Sequence, residues 1–292
     1  MAILQIRHRT VYEYHVPVEF GEHRLMARPR DSHDLRLMDT QLLIEPAPSA
    51  LRWIHDVFGN SIALASFDAA AKRLSFESAF RAEHYPAPPL DIVVEPYATR
   101  FPFSYAASDT EDLGRTKERH YADPEHQVDR WAQAVVQEVA EGRTLAVLNE
   151  MTVRIKQQFK YAARDAPGVQ APLETLALGG GSCRDLALFM MEAVRSLGLA
   201  ARFVSGYVYD EHLAGGGGGL IGSGTTHAWM QVFLPGAGWV EYDPTNALVG
   251  GRNLIRVAVA RDPSQAAPIS GSFRGPPDAF ASLAVEVAVT TQ

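Results

Sequence analysis

Cysteine is almost absent from this sequence: Cys183 is the only one in 292 residues. An internal disulfide is therefore impossible, and zinc sites built from several cysteines are excluded. Long apolar runs are missing too, and none approaches the ~20 residues that cross a bilayer. The opening MAILQIRHRT meets charge at Arg7 and Arg9, which breaks the apolar stretch a signal peptide needs. A cytoplasmic protein with no membrane association is the expectation. Basic runs are equally scarce. The nearest, RLMARPRDSHDLR (24–36), is interrupted by acids, the net charge is -7 and the pI is about 5.8. Nucleic acid is not an expected partner. The glycine-rich AGGGGGLIGSG (214–224) lacks the Lys-Ser/Thr pair of a phosphate-binding loop. It reads as a connection between two strands, open to two uses: a lid over a nearby site, or a surface loop with no role.

What remains is the composition of a globular chain, 47% hydrophobic and 21% charged, long enough for two domains. The first hundred residues read as β. In ILQIRHRTVYEY, residues Leu4, Ile6, His8, Thr10, Tyr12 and Tyr14 share one face while Gln5, Arg7, Arg9 and Glu13 take the other. MDTQLLIEP, LRWIHDVFGNSIALASF and RLSFESAFRAEHY repeat the theme. Gly59 and Asn60 in DVFGN have the chemistry of a turn. Short strands between turns predict an antiparallel sandwich over residues 1–105. A proline-rich exit, YPAPPLDIVVEPYATRFPF, and a polar stretch over 106–123 read as a linker.

The period then changes, and residues 124–292 read as a second domain. Asp123 with Pro124 predicts a helix start, followed by Val128, Trp131, Val135, Val136 and Val139 at helical spacing. Leu145, Leu148, Thr152, Ile155 and Phe159 form a second such stripe. A third helix begins near Cys183, carries Leu186, Phe189, Met190, Ala193, Val194 and Leu197 on one face, and stops at Gly198. Strand-like AARFVSGYVYD, THAWMQVFLP and GWVEYDPTN follow. Helices and then strands predict an α+β domain, helices packed on an antiparallel sheet.

Cys183 stands at the predicted mouth of that third helix, behind three glycines and Ser182. A thiol attacks carbonyls as thiolate, and unpaired N–H groups at a helix N-terminus favour that anion. The glycines are expected to leave the backbone open to a substrate and to the developing oxyanion. A partner base is needed, and His227 in TTHAWMQVF is the best of ten histidines. Such a base needs an orienting group. Asp243 in GWVEYDPTN fits, because the PGAG turn folds the two strands into a hairpin. A turn near 236–237 pairs His227 with about position 246 and leaves Asp243 about one strand step away. Each residue alone also has an ordinary structural reading: a buried thiol, a strand histidine, a turn aspartate, and Asp185 as a first-turn carboxylate.

GGGSCRDLALFMMEAVRSLGLAARFVSGYV followed by THAWMQVFLPGAGWVEYDPTN closely resembles the transglutaminase-like superfamily, papain-like thiol enzymes with a Cys, His, Asp order. The resemblance runs from about Thr144 to Gly250, and IRHRTVYEY with DVFGN resembles the β-rich N-terminal region of bacterial members. It implies Cys183 as nucleophile, His227 as base and Asp243 as its orienting acid, with Ser182, Arg184, Asp185 and Trp229 near the site. Tyr161 is the position-based candidate for a second oxyanion donor. The sequence departs from the family where a glutamate commonly follows two residues after the Trp of HAW; here it is Gln231. The implied activity is amide hydrolysis of a peptide or protein through an acyl-enzyme, with no metal and no cofactor. Three alternatives stay open: acyl transfer to an amine, as in a cross-linking transglutaminase; an arylamine acetyltransferase-like enzyme, disfavoured by the leading β domain; and a binding module that has lost catalysis. The sequence sets no oligomeric state.

Overall fold

The computed structural model of the chain describes residues 2–86, 92–164, 168–210 and 219–291. Six strands come first: β1 (Ala2–Phe20), β2 (His23–Arg28), β3 (Leu35–Glu45), β4 (Ala50–His55), β5 (Ser61–Ser66) and β6 (Ala71–His84). A helical region follows, with α1 (Ala107–Leu113), α2 (Gln127–Glu138) and α3 (Thr144–Gln158). Then come β7 (Lys160–Tyr161), α4 (Pro172–Leu178), β8 (Gly180–Gly181) and α5 (Cys183–Ser196). The chain finishes with β9 (Ala201–Val208), β10 (His227–Leu234), β11 (Gly238–Asp243), β12 (Leu248–Val249), β13 (Leu254–Ala260), β14 (Ile269–Ser270), β15 (Phe273–Arg274) and β16 (Phe280–Thr291).

The expected α+β class and the N-terminal antiparallel sandwich are present. One sheet holds β15, β1, β6 and β3, with β16 also on β1; the other runs β14-β2-β5-β4. The alternation of β1 works as its side-chain period demands: Leu4, Ile6, His8, Thr10 and Tyr14 are buried. Tyr14, Val18, Phe20, Leu25, Ala63, Leu74 and Phe76 fill the space between the two sheets.

Two features run across the expected divisions at 105 and 123. Residues 106–123 contain α1 rather than only a linker. The expected 124–292 domain also loses its last strand: β16 pairs with β1 from Leu4 opposite Thr291 to Tyr14 opposite Phe280. The alternating FASLAVEVAVTT had no partner of its own nearby, and the edge of β1 supplies one. The two regions share core as well. Leu4, Ile6, Phe80 and Val287 pack with Tyr207, Ile255 and Val257, and His8 Nδ1 meets the Tyr207 hydroxyl at 2.9 Å.

The second region is a sheet of order β12-β11-β10-β9-β13 with helices on one face and the sandwich on the other. The helix side of β10 is Ala228, Met230 and Val232, packed with Leu186, Phe189, Met190 and Val194 of α5. Fully burying a side chain such as Phe189 contributes about 1.5–3 kcal/mol, and Trp131 meets its ring edge-on at 4.9 Å. Gly198, at φ +81, ends the run after α5 as expected. Asp123 does serve α2, but Pro124 is not its first residue. The chain makes an extra turn with His126 in the left-handed region, and the Asp123 carboxylate accepts from Gln127 N at 2.8 Å and Val128 N at 3.0 Å. In DVFGN only Gly59 takes a positive φ. Asn60 instead docks on β13, donating to Val259 O at 2.6 Å and accepting from Val259 N at 2.9 Å. Among the described residues no helix is long and apolar enough to cross a membrane.

Candidate active site

Ser182 is the N-cap of α5 and Cys183 is its first residue. The start is fixed by Asp185, fully buried, whose carboxylate accepts from Ser182 N and Ser182 Oγ, both at 2.8 Å. It also accepts from Gln170 N at 2.7 Å and pairs with Arg164 at 3.4 Å. Asp185 is thus more than a first-turn charge: it ties the segment before α4 to the mouth of α5.

The glycines before Cys183 serve a different purpose from the expected one. Gly179 takes φ +59 and ends α4. Gly180 and Gly181 make room for the protein's own chain. A Cβ on Gly180 would lie 2.3 Å from Lys160 O, and one on Gly181 would lie 2.7 Å from both Asp185 Cβ and Gln170 Oε1. Their absent side chains let β7 pair in parallel with β8, which puts Tyr161 opposite Gly181.

His227 opens β10. The β10–β11 ladder runs from Leu234 opposite Gly238 to Met230 opposite Tyr242. Extended by one pair, it puts Asp243 across from Trp229 and diagonal to His227, within one residue of the expected register. No bulge is needed: His227 Nε2 donates to Asp243 Oδ2 at 2.8 Å. His227 is 1% exposed, Asp243 0% and Cys183 7%. Trp229 stacks beside His227, centroids 5.9 Å apart and planes 25° apart.

Burial alone would push the Cys183 thiol up. The hydrogen bond and charge of His227, the charge of Arg184 and the Ala228 N–H outweigh it and hold the thiol below its ordinary value. Burial likewise opposes charge on His227, but Asp243 and then Cys183 raise it to about 10. Both shifts favour thiolate and imidazolium. His227 Nδ1 makes no hydrogen bond among the described residues, which leaves that nitrogen free, and the Cys183 thiol is near enough to add to the rise in its pKa. Arg184 donates to Thr226 Oγ1 at 3.3 Å, beside His227. Tyr161 is close enough for the Cys183 charge to add to the burial that raises its pKa. All eight expected residues therefore converge: Ser182 at the cap of α5, Cys183, Arg184 and Asp185 on α5, Tyr161 on β7, His227 and Trp229 on β10, and Asp243 on β11. Among the described residues no cluster of His, Cys, Asp and Glu has the arrangement of a metal site.

Other residues complete the arrangement. Asn246 donates to Asp243 Oδ2 at 2.8 Å and to Ile221 O at 3.0 Å, and accepts from Ile221 N at 2.8 Å. Thr245 N donates to Asp243 Oδ1 at 2.9 Å. The 219–224 part of the glycine-rich loop is thereby held against the pair. Gly222, at φ +99, lies so near that a Cβ would fall 2.5 Å from His227 Nδ1. Residues 214–218, the rest of that loop, lie outside the described residues. The departure at Gln231 also resolves: its cross-strand partner is Glu241. Glu241 accepts from Trp229 Nε1, from Gln231 Nε2 at 2.6 Å and from Arg256 at 2.7 Å. A carboxylate is present after all, delivered from the neighbouring strand.

Residues 129–244 match the family model described as the transglutaminase-like superfamily. Residues 4–83 match the bacterial transglutaminase-like N-terminal region. An uncharacterized protein of Mycobacterium tuberculosis is 28% identical over 283 residues, covering 91% of this chain and 86% of the relative. One of Mycobacterium leprae is 35% identical over 106 residues, 35% of this chain and 36% of that protein. A Cytophaga hutchinsonii structure, described as that of a "putative cysteine protease", shares the fold. Its TM-score is 0.72 at 16% identity, over 99% of this chain and 91% of that one.

Proposed function

The chain belongs to the transglutaminase-like superfamily, and from that premise we propose that it is a thiol-dependent amide hydrolase, a cysteine peptidase or amidase. The observation that supports the reading is the grouping of Cys183, His227 and Asp243: a thiol at a helix mouth, a histidine with one nitrogen free, and a carboxylate 2.8 Å from the other nitrogen. In the proposed reaction His227 Nδ1 takes the thiol proton and Cys183 Sγ attacks the amide carbonyl carbon. The oxyanion is held by the Cys183 N–H and a second donor, for which Tyr161 is the candidate; one such donor contributes about 100- to 1,000-fold in rate. The imidazolium gives its proton to the departing amine as the C–N bond breaks. Water, deprotonated by His227, then cleaves the thioester. Asp243 keeps the imidazole in the tautomer this needs.

Acyl transfer to an amine uses the same intermediate and differs only in what attacks the thioester. The test is mass spectrometry of the protein during turnover of peptide and amide substrates, with Cys183→Ala as control and with an added primary amine. A Cys183-dependent acyl adduct that resolves to free acid supports hydrolysis. An adduct that resolves mainly to the new amide supports transfer. Absence of any adduct, with turnover unchanged in Cys183→Ala, overturns a thiol mechanism. The rate is expected to rise as the pair loses its first proton, below the ordinary thiol value, and to fall again as the imidazolium deprotonates near 10.

A further inference from the structure

A cavity of about 530 Å³ lies where the 30–34 and 58–60 segments of the sandwich face the β9–β13 sheet. None of Cys183, His227 and Asp243 lines it. Its volume and its place between two layers suit a small ligand. By number its charges balance, Arg30, Arg202 and Arg256 against Asp31, Asp34 and Glu241, but they pair unevenly. Asp34 is spent on Arg256 at 3.2 Å and on Ser32. Glu241 is spent on Trp229, Gln231 and Arg256. Asp31 accepts from Leu37 N. Arg202, partly buried, has no carboxylate hydrogen bond among the described residues. Its Nε donates to Gln231 Oε1 at 2.6 Å and its guanidinium lies on the Trp239 ring, 4.1 Å from the centroid. The amino edge is left without a partner in a wall of the cavity. Arg30, on the opposite wall, has no ion pair among the described residues.

Arg202 lies near Glu241, but that carboxylate is taken up by other groups, so the amino edge on Trp239 keeps donors to spare facing the cavity. Burial, with Arg256 and Arg30 nearby, outweighs the pull of Glu241 and takes Arg202 down to about 9, so it remains a cation at neutral pH. Its planar fork matches a carboxylate in a bidentate pair, and its stacking on Trp239 fixes the fork's orientation. Beside the polar Ser32, His33 and Asn60, the lining holds the apolar side chains of Phe58, Ile92, Val257 and Val259. That lining suits an organic acid with a hydrocarbon body better than an inorganic ion.

We propose that the cavity between the sandwich and the β9–β13 sheet is a binding site for a small organic carboxylate, with Arg202 on Trp239 as the group that grips the acid. The site is separate from the candidate active site and stands whether or not the hydrolase reading does. The two are joined through Gln231, Glu241 and Trp229, the last stacked on His227.

The test is calorimetric titration of the full chain with phenylacetate, with its neutral isostere phenylacetamide, and with inorganic phosphate. Saturable binding of phenylacetate, at least ~10-fold tighter than phenylacetamide, is expected; ~10-fold corresponds to the loss of one charge-assisted contact. Arg202→Gln should remove that preference, with its melting temperature showing that it folds. Equal binding of acid and amide by the wild-type chain overturns the proposal without recourse to any variant. So does no saturable binding, or an acid preference that survives in Arg202→Gln. Phosphate binding as tight as phenylacetate overturns the assignment of an organic acid.

Discussion

Replacing Gly222 by alanine tests how the loop and the histidine depend on each other. The new Cβ would sit 2.5 Å from His227 Nδ1, 2.9 Å from Cγ and 3.2 Å from Cβ, where ordinary contact begins at 3.4 Å. Something must therefore move by about 0.9 Å. The ring has little room to yield, because it is held by Asp243 at one nitrogen and lies beside Trp229. The loop is held as well, through Asn246 and Ile221. Either the loop lifts or Nδ1 shifts off the thiol, and a misplacement of ~1 Å costs on the order of 100-fold in rate, or about 2.7 kcal/mol of barrier. The backbone adds a separate cost, since φ +99 disfavours any side chain by about 1–3 kcal/mol. Gly224→Ala separates the two effects: it has φ +83, but nothing lies within 4 Å of its Cβ position. The assay is the pH dependence of Cys183 alkylation by iodoacetamide, with a thermal melt for each variant. Both variants should melt lower. Only Gly222→Ala should slow alkylation near neutral pH by about 100-fold and raise the apparent thiol pKa. A Gly222→Ala profile within two-fold of wild type, or the same defect in Gly224→Ala, would refute the reasoning.

Asn246→Ala removes the amide that bridges Asp243 and Ile221; peptide turnover should fall about 10- to 100-fold, and unfolding free energy by about 1–3 kcal/mol in urea titration. Asp185→Asn keeps the shape but cannot accept from Ser182 N, Ser182 Oγ and Gln170 N with full charge, and should cost about 2–3 kcal/mol by the same titration while leaving His227 and Asp243 paired. In Glu241→Gln, Arg256 keeps Asp34 but loses its second carboxylate. A melt lowered relative to wild type should then be accompanied by a changed fluorescence from Trp229, whose N–H loses its charged acceptor.

The parts legible in the sequence are those with local signals. Helix α5 announces itself by period and by Gly198, and Cys183, His227 and Asp243 by their order and their resemblance to a family. Register came within one residue because a short turn fixes a hairpin. Long-range choices left no such mark. Nothing in FASLAVEVAVTT says that it returns to β1, since an alternating strand fits any open edge of matching pattern. Gln231 reads as an isolated departure because Glu241, which it meets across the hairpin, lies ten residues on, across a turn. Asn246 and Gly222 look like turn residues, and only the folded loop shows them on Asp243 and His227. The glycines before Cys183 suggested open space for a substrate, whereas Gly180 and Gly181 are filled by Lys160, Gln170 and Asp185.

The central claim is that Cys183 and His227 share an ion pair. Ultraviolet absorbance of the thiolate, followed from about pH 4 to about pH 10 in wild type and His227→Ala, measures it directly, with Cys183→Ala as the blank that subtracts the ten tyrosines as they begin to ionise. The account predicts thiolate well below the ordinary thiol range in wild type, and a shift upward in the mutant, where burial acts with only Arg184 and the Ala228 N–H to oppose it. A thiol that ionises in or above the ordinary range, unmoved by loss of His227, would contradict it.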